Sequence, residues 1–253
     1  MKNKKIILII LGACVVFGII YAASELLPEN EAKIVLIGVA VVFVILWMIF
    51  KMIQMFRLNK DVSGPTHLLF EEKDPAKYVQ EMETILEQVN GKQQKDLVRI
   101  NISAGQLYNG DYQEAISTLE KVALPGQPVT NQLICYANQI MAYFLSGDKE
   151  KGLAVVEEQR KLLKKYDNTA SGITNNVLVV YAFEFLAKGE YEQALATLEK
   201  LETRKVSSIL QDIVDYLKCE CYRNLKRESE KNALKNTMLQ GKLVPAIRMK
   251  LEK

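Results

Sequence analysis

Histidine is almost missing from this chain of 253 residues: His67 is the single one. Without a second imidazole or clustered cysteines, a zinc or di-metal centre has no ligand set. Cysteine is sparse as well, with four in all. Cys14 sits in an apolar run and Cys135 in a helical stretch, while Cys219 and Cys221 are two apart and point to different sides of one helix. Such a pair closes no local disulfide, and free thiols suit a reducing cytoplasm. Gly91-Lys92 lacks the rest of a phosphate-binding loop, and no nucleophile-elbow sequence surrounds a serine. Carboxylates such as Glu81/Glu83 and Glu157-Glu158 alternate with lysines, the pattern of solvated helix faces. These gaps predict a protein that is not an enzyme, has no cofactor and takes no small-molecule substrate.

A dominant charge is missing too. The net charge is +3, and residues 57–253 hold 28 Lys and Arg against 27 Asp and Glu. That balance leaves no electrostatic footprint for nucleic acid. The asymmetry is local: from Arg223 to Lys253 there are nine basic and three acidic residues. This stretch reads either as a solvated basic helix face with a frayed end or as a tail drawn to anionic lipid, at about 1 kcal/mol per cation near the surface.

What is present is a repeated phrase. Gly110-Asp111-Tyr112-Gln113-Glu114-Ala115-Ile116 followed by Leu119-Glu120-Lys121 recurs 79 residues later as Gly189-Glu190-Tyr191-Glu192-Gln193-Ala194-Leu195 and Leu198-Glu199-Lys200. A degraded copy begins at Gly147-Asp148-Lys149 and continues through Gly152-Leu153 to Val156. The glycines are 37 and 42 apart, a period that marks stacked helical hairpins. Each glycine falls where a first helix must stop in a left-handed conformation. The following Asp or Glu is placed to cap the return helix, small Ala115 and Ala194 allow close helix approach, and Ile116/Leu119 and Leu195/Leu198 face the partner helix. Counting 37 beyond Gly189 puts a fourth turn at Lys226, without a glycine.

At these residues the chain resembles the tetratricopeptide repeat family. That family places a large residue, then a small one, then an aromatic four before the turn glycine. Tyr181-Ala182 with Phe185 matches well, Gln139-Ile140 with Tyr143 partly, and Lys218-Cys219 with Tyr222 weakly, while the first copy has Gln106 in the aromatic's place. The resemblance covers roughly residues 93 to 240 and implies an all-α solenoid that binds a protein or peptide. Asp74-Pro75, 37 before Asp111, opens a half-repeat over 76–89 that caps the array. The competing fold is an irregular helical bundle with one duplicated hairpin.

The front of the chain differs. Residues 6–23 and 34–50 carry no charge. At 1.5 Å per residue these runs reach about 25–27 Å, near the roughly 30 Å hydrocarbon core of a bilayer. Two transmembrane helices are expected. The connecting stretch carries Glu25, Glu29 and Glu31, while Lys2, Lys4 and Lys5 precede the first run and Lys51, Arg57 and Lys60 follow the second. The positive-inside rule then puts both termini and the repeats in the cytoplasm, in a multi-pass protein of the inner membrane, with Trp47 as an interfacial anchor. A second reading makes the first run a cleaved signal, cut near Tyr21-Ala22-Ala23-Ser24 or processed at Leu11-Gly12-Ala13-Cys14. Tyr21 is bulky for that cut, and Cys14 leads into more apolar sequence. Either way the second run stops transfer.

The expected organisation is a two-helix transmembrane anchor over 1–56, a linker over 57–75 with a break at Asp61–Thr66, repeats over 76–241, and a basic tail over 242–253. Hairpins are expected at about 93–124, 131–166, 175–204 and 209–240, with Thr130 capping the second, Asp74 capping and Pro75 opening the half-repeat, and Gly241 stopping the last. Carried over from the family, the first helix of each hairpin lines a concave groove. The groove would show Leu97, Ile100, Asn101 and Ala104, then Ile134, Ala137, Asn138 and Met141, then Asn176, Val179 and Phe183, then Tyr216 and Glu220. Of the family's clamp for a terminal carboxylate only Asn101 and Asn138 survive, so no clamp is expected. The rest suits an amphipathic helix or an extended apolar segment. The alternative is that these positions are core, or are covered by the chain's own 68–89 stretch. Function then reads as a membrane-anchored cytoplasmic interaction platform. The alternative is a structural subunit whose transmembrane helices make the specific contacts, through a face such as Gly18-x-x-x-Ala22.

Overall fold

The computed structural model describes Gly18, Tyr21, Ala22, Glu25 and residues 28–252. The expected span over 6–23, apart from those four positions that fall within it or next to it, lies outside the described residues, as does Cys14. Thirteen α-helices and no strand occur among the described residues. The chain divides into two units at Asn59 and Lys60.

Helix α1 (Glu29–Ser63), which lies in the first unit as far as Asn59, begins under Glu29 and Glu31, whose carboxylates meet the positive end of its dipole, and Lys33 donates to Glu29 at 2.6 Å. Residues 40–50 are exposed all round, Phe43 and Trp47 included. A helix that is apolar on every side has no face to turn to water. Among the described residues, this is the one helix long and apolar enough to cross a membrane. It runs through the first part of the expected linker and ends at Ser63, where Gly64 and Pro65 interrupt it before α2 (Thr66–Phe70). The 57–75 stretch is therefore mostly helical.

The second unit is the repeat array. Asp74 accepts from the Lys77 amide at 3.0 Å and Pro75 opens α3 (Pro75–Gln88), as expected. Helices α4 (Lys92–Asn109) and α5 (Tyr112–Glu120), α6 (Val129–Ser146) and α7 (Lys149–Glu158), α9 (Ile173–Lys188) and α10 (Tyr191–Glu199), and α11 (Ser208–Asn224) and α12 (Glu228–Gln240) form four hairpins. A short α8 (Arg160–Lys165) extends the second, and α3 packs along α4 as the expected half-repeat.

All four turns share one hydrogen-bond pattern. Gly110, Gly147 and Gly189 take φ of +98°, +98° and +79°, and Lys226 takes +58°. The next amide reaches back five residues in each: Asp111 to Gln106 and Asp148 to Tyr143 at 2.9 Å, Glu190 to Phe185 and Arg227 to Tyr222 at 2.8 Å. This is the Schellman closure, and it satisfies carbonyls that the helix end orphans. Ala115 and Ala194 are fully buried between helices, and Gly152 serves the same position in the second hairpin, where an added Cβ would stand 3.0 Å from the Phe144 ring.

Three local expectations are corrected. Of the turn carboxylates only Asp148 caps, accepting from the Lys151 amide at 3.3 Å. Asp111 instead takes the Asn109 amide group at 2.6 Å, and Glu190 makes no cap bond. Thr130 lies inside the first turn of α6, because Pro128 already stands at its N-cap with an extended ψ. The tail over 242–253 is not a frayed basic end: Pro245 opens α13 (Pro245–Leu251), and Leu243, Val244, Ala246, Ile247 and Leu251 are buried. Its apolar residues recur every fourth position, so one face is greasy while Arg248 and Lys250 ride on the other. Gly241 does stop α12, in extended rather than left-handed backbone.

Candidate functional site

The leading helices α4, α6, α9 and α11 pack side by side in sequence order, so the thirteen expected groove positions fall along one continuous row of helices. Six of them are buried: Ile100, Ala137, Asn138, Met141, Val179 and Phe183, with Met141 and Val179 at 0 % exposure. The other seven, Leu97, Asn101, Ala104, Ile134, Asn176, Tyr216 and Glu220, are half-buried. Ile100 packs with Leu119 and Cys135, and Ile134 rests against that cluster.

Both asparagines make hydrogen bonds within the fold. Asn101 accepts from the Tyr78 hydroxyl at 3.0 Å and donates to the Leu97 carbonyl at 2.9 Å. Tyr78 belongs to α3, so the chain's own half-repeat covers that position. Asn138 donates to Ser103 Oγ at 3.5 Å across the α4–α6 contact.

Further along, the Phe144 and Phe183 rings stack with centroids 5.4 Å apart and planes 1° from parallel. Beside them lies a cavity of about 150 Å³, bounded by Phe144, Phe183, Tyr191, Tyr216, Glu220 and Arg223. Burial pushes the Tyr216 hydroxyl far above its ordinary range, with Glu220 adding to the shift, so it stays a neutral donor. Glu220 pairs with Arg223 one turn on. A larger open groove of about 560 Å³ runs past Glu83, Arg99, Gln106 and Lys121, and none of the thirteen positions lines it.

The described thiols are unreactive by environment. Burial pushes Cys135 and Cys221 up to about 12 and Cys219 up to about 11, so little thiolate forms near neutrality. His67 holds the Gly64 carbonyl at 2.9 Å.

Sequence reasoning missed a polar group that joins distant parts of the array, Asp212 near the start of α11. This buried carboxylate accepts from Lys73 Nζ at 2.7 and 2.9 Å and from the Val244 amide at 3.1 Å. Nearby, Ser208 donates to the Phe70 carbonyl at 2.5 Å. Asp212 thus ties the stretch before α3 and the segment after α12 to the fourth hairpin. No local signal marks it, because its partners are more than thirty residues away in sequence.

The family model of the SusR N-terminal TPR domain matches residues 73–237, more than half of the chain. The chain belongs to the tetratricopeptide repeat family. The matched span starts at Lys73, so α3 lies within the TPR domain, and it ends before α13. No curated protein and no solved structure matches the chain. TPR domains generally mediate protein–protein contacts, and that is the function class to which membership points.

Proposed function

We propose that this protein is a membrane-anchored interaction platform: α1, with the apolar run before it, holds the chain in the inner membrane, and the TPR array binds a protein or peptide on the cytoplasmic side. The observation that carries the reading is the pairing of a TPR array with a helix whose apolar side chains are exposed all round over residues 40–50. Water cannot solvate that helix, whereas bilayer hydrocarbon can. Lys51, Arg57 and Lys60 beyond the apolar run, against Glu25, Glu29 and Glu31 before it, support the orientation. Anchoring raises the local concentration of the array at the membrane without any new contact.

The partner-facing positions are the half-buried members of the row: Leu97, Ala104, Ile134, Asn176, Tyr216 and Glu220. The balanced charge argues against nucleic acid, and burial keeps the described thiols protonated, which supports an array that works by binding.

Two measurements test this. A reporter fused after Lys253 should be active only in the cytoplasmic form, and the chain should fractionate with membranes unless detergent is added. A partner captured from detergent-solubilised cells should be lost with Tyr216→Ala combined with Glu220→Lys while the fold persists. A chain recovered in the soluble fraction, or a capture indifferent to those substitutions, sinks the reading.

A further inference from the structure

The last hairpin is complete without the segment that follows it, since α11 and α12 already pack against each other. After Gly241 and Lys242, both exposed, the chain turns back and lays α13 across two helices far apart in sequence. These are α11, its neighbour, and α4, the leading helix of the first hairpin. Val244 and Ile247 are at 0 % exposure, and Ala246 is at 1 %. The Val244 amide donates to Asp212, and Met249 closes over Gly110, so near that an added Cβ there would stand 2.4 Å from its methyl carbon. Lys250 lies over the Tyr112 ring at 5.8 Å. The segment also begins beyond the last residue matched to the TPR family, 237. A short amphipathic helix, joined by two exposed residues and seated on leading helices, has the form of a peptide in its groove.

We propose that residues 243–251 are an internal ligand of the TPR array, and that the partner binding this surface is an amphipathic helix with the same apolar spacing, which takes the segment's place. The proposal rests on the platform reading and specifies its partner. The surface between α4 and α11 selects apolar side chains at the spacing of Leu243, Ile247 and Leu251, with a small residue at the place of Ala246. A backbone amide must come near Asp212, and basic side chains are accepted only on the outward face, that of Arg248. Tethering keeps the segment at a high effective concentration, so the array stays closed until a partner of greater length or apolar area arrives.

The test uses the full chain in detergent and a labelled peptide with the sequence of residues 241–253. The intact chain, already filled, should bind the peptide poorly. Ile247→Glu, which evicts the segment, should bind it at least about tenfold tighter. A peptide carrying Ile247→Glu should bind neither. A substituted chain that stays helical yet binds no better than the intact one overturns the proposal. If the substitution melts the domain, a chain with a protease site inserted between Gly241 and Lys242 decides. After cutting, exchange of its fragment for labelled peptide supports the proposal, and retention of that fragment against excess peptide overturns it. A captured protein that competes with the peptide supports the partner assignment, and one that leaves the peptide bound overturns it. Because the peptide readout needs no partner, failure to capture any protein counts against the platform reading alone.

Discussion

At the scale of single residues, the fourth turn is the sharpest case. Lys226 takes φ of +58° where three glycines stand in the other hairpins. A non-glycine residue in that region costs about 1–2 kcal/mol, partly offset by the lower unfolded-state entropy relative to glycine. Lys226→Gly should therefore raise stability by about 0.5–1 kcal/mol, and Gly147→Ala, with nothing within 4 Å of the new Cβ, should lower it by a similar amount. Thermal melts of both variants check the pair. Lys226 was legible by counting alone, since a period constrains the backbone even where the residue type has drifted. Glu184 was not. Burial pushes its carboxyl up, but hydrogen bonds from Arg160 at 2.6 and 2.8 Å and from Lys188 at 2.6 Å outweigh burial and hold it below its ordinary 4.5. A carboxylate with a lowered folded value lends stability above its unfolded value and loses it as pH falls through the folded one. Stability should thus decline as pH drops below about 4.5, and Glu184→Gln should flatten that decline in denaturant melts.

At the scale of elements, hairpins were readable because each carries its own punctuation: Asp74-Pro75 at a start, glycine at a turn, small residues at the crossings. Contacts between elements were not. Gly105 gave no signal within α4, yet a Cβ there would stand 2.6 Å from Val79 Cγ2 and 2.9 Å from a Tyr78 ring carbon. It is the close crossing that seats α3 on the first hairpin. Gly105→Val should cost about 3 kcal/mol, because the β-branched Val79 and the Tyr78 ring, whose hydroxyl is tied to Asn101, have little room to give. The loss should appear as a lower melting temperature together with faster proteolysis around Pro75–Gln88. The C-terminal helix shows the opposite failure. Its spacing of Leu243, Ile247 and Leu251 is plain in the sequence, but it lies within a stretch with nine basic residues whose charge dominates the composition. Charge described the outer face of α13 and concealed the inner one. The groove positions sit between these cases, since the period placed them on one row of helices, while six are buried by contacts that no single repeat encodes.

At the scale of the repeat unit, the two ends of the array meet. Lys73 before α3, Asp212 in α11 and Val244 before α13 meet at one buried carboxylate, so a single side chain joins the turn that enters α3, a leading helix and the internal ligand. Two donors converge on it, the Lys73 ammonium and the Val244 amide. Removing the carboxylate takes the partner from a half-buried ammonium and a buried amide, an imbalance that costs about 2–3 kcal/mol. Asp212→Ala should lower global stability by about that amount. Its effect should also be uneven: amide exchange should rise first at residues 243–251 and at 66–74, both held by Asp212, while α6 through α10 keep their protection. If exchange rose uniformly across all four hairpins, the carboxylate would be an ordinary part of one cooperative core. Confined acceleration would mean that the array opens at its junction before it melts, the motion a displacing helix would exploit.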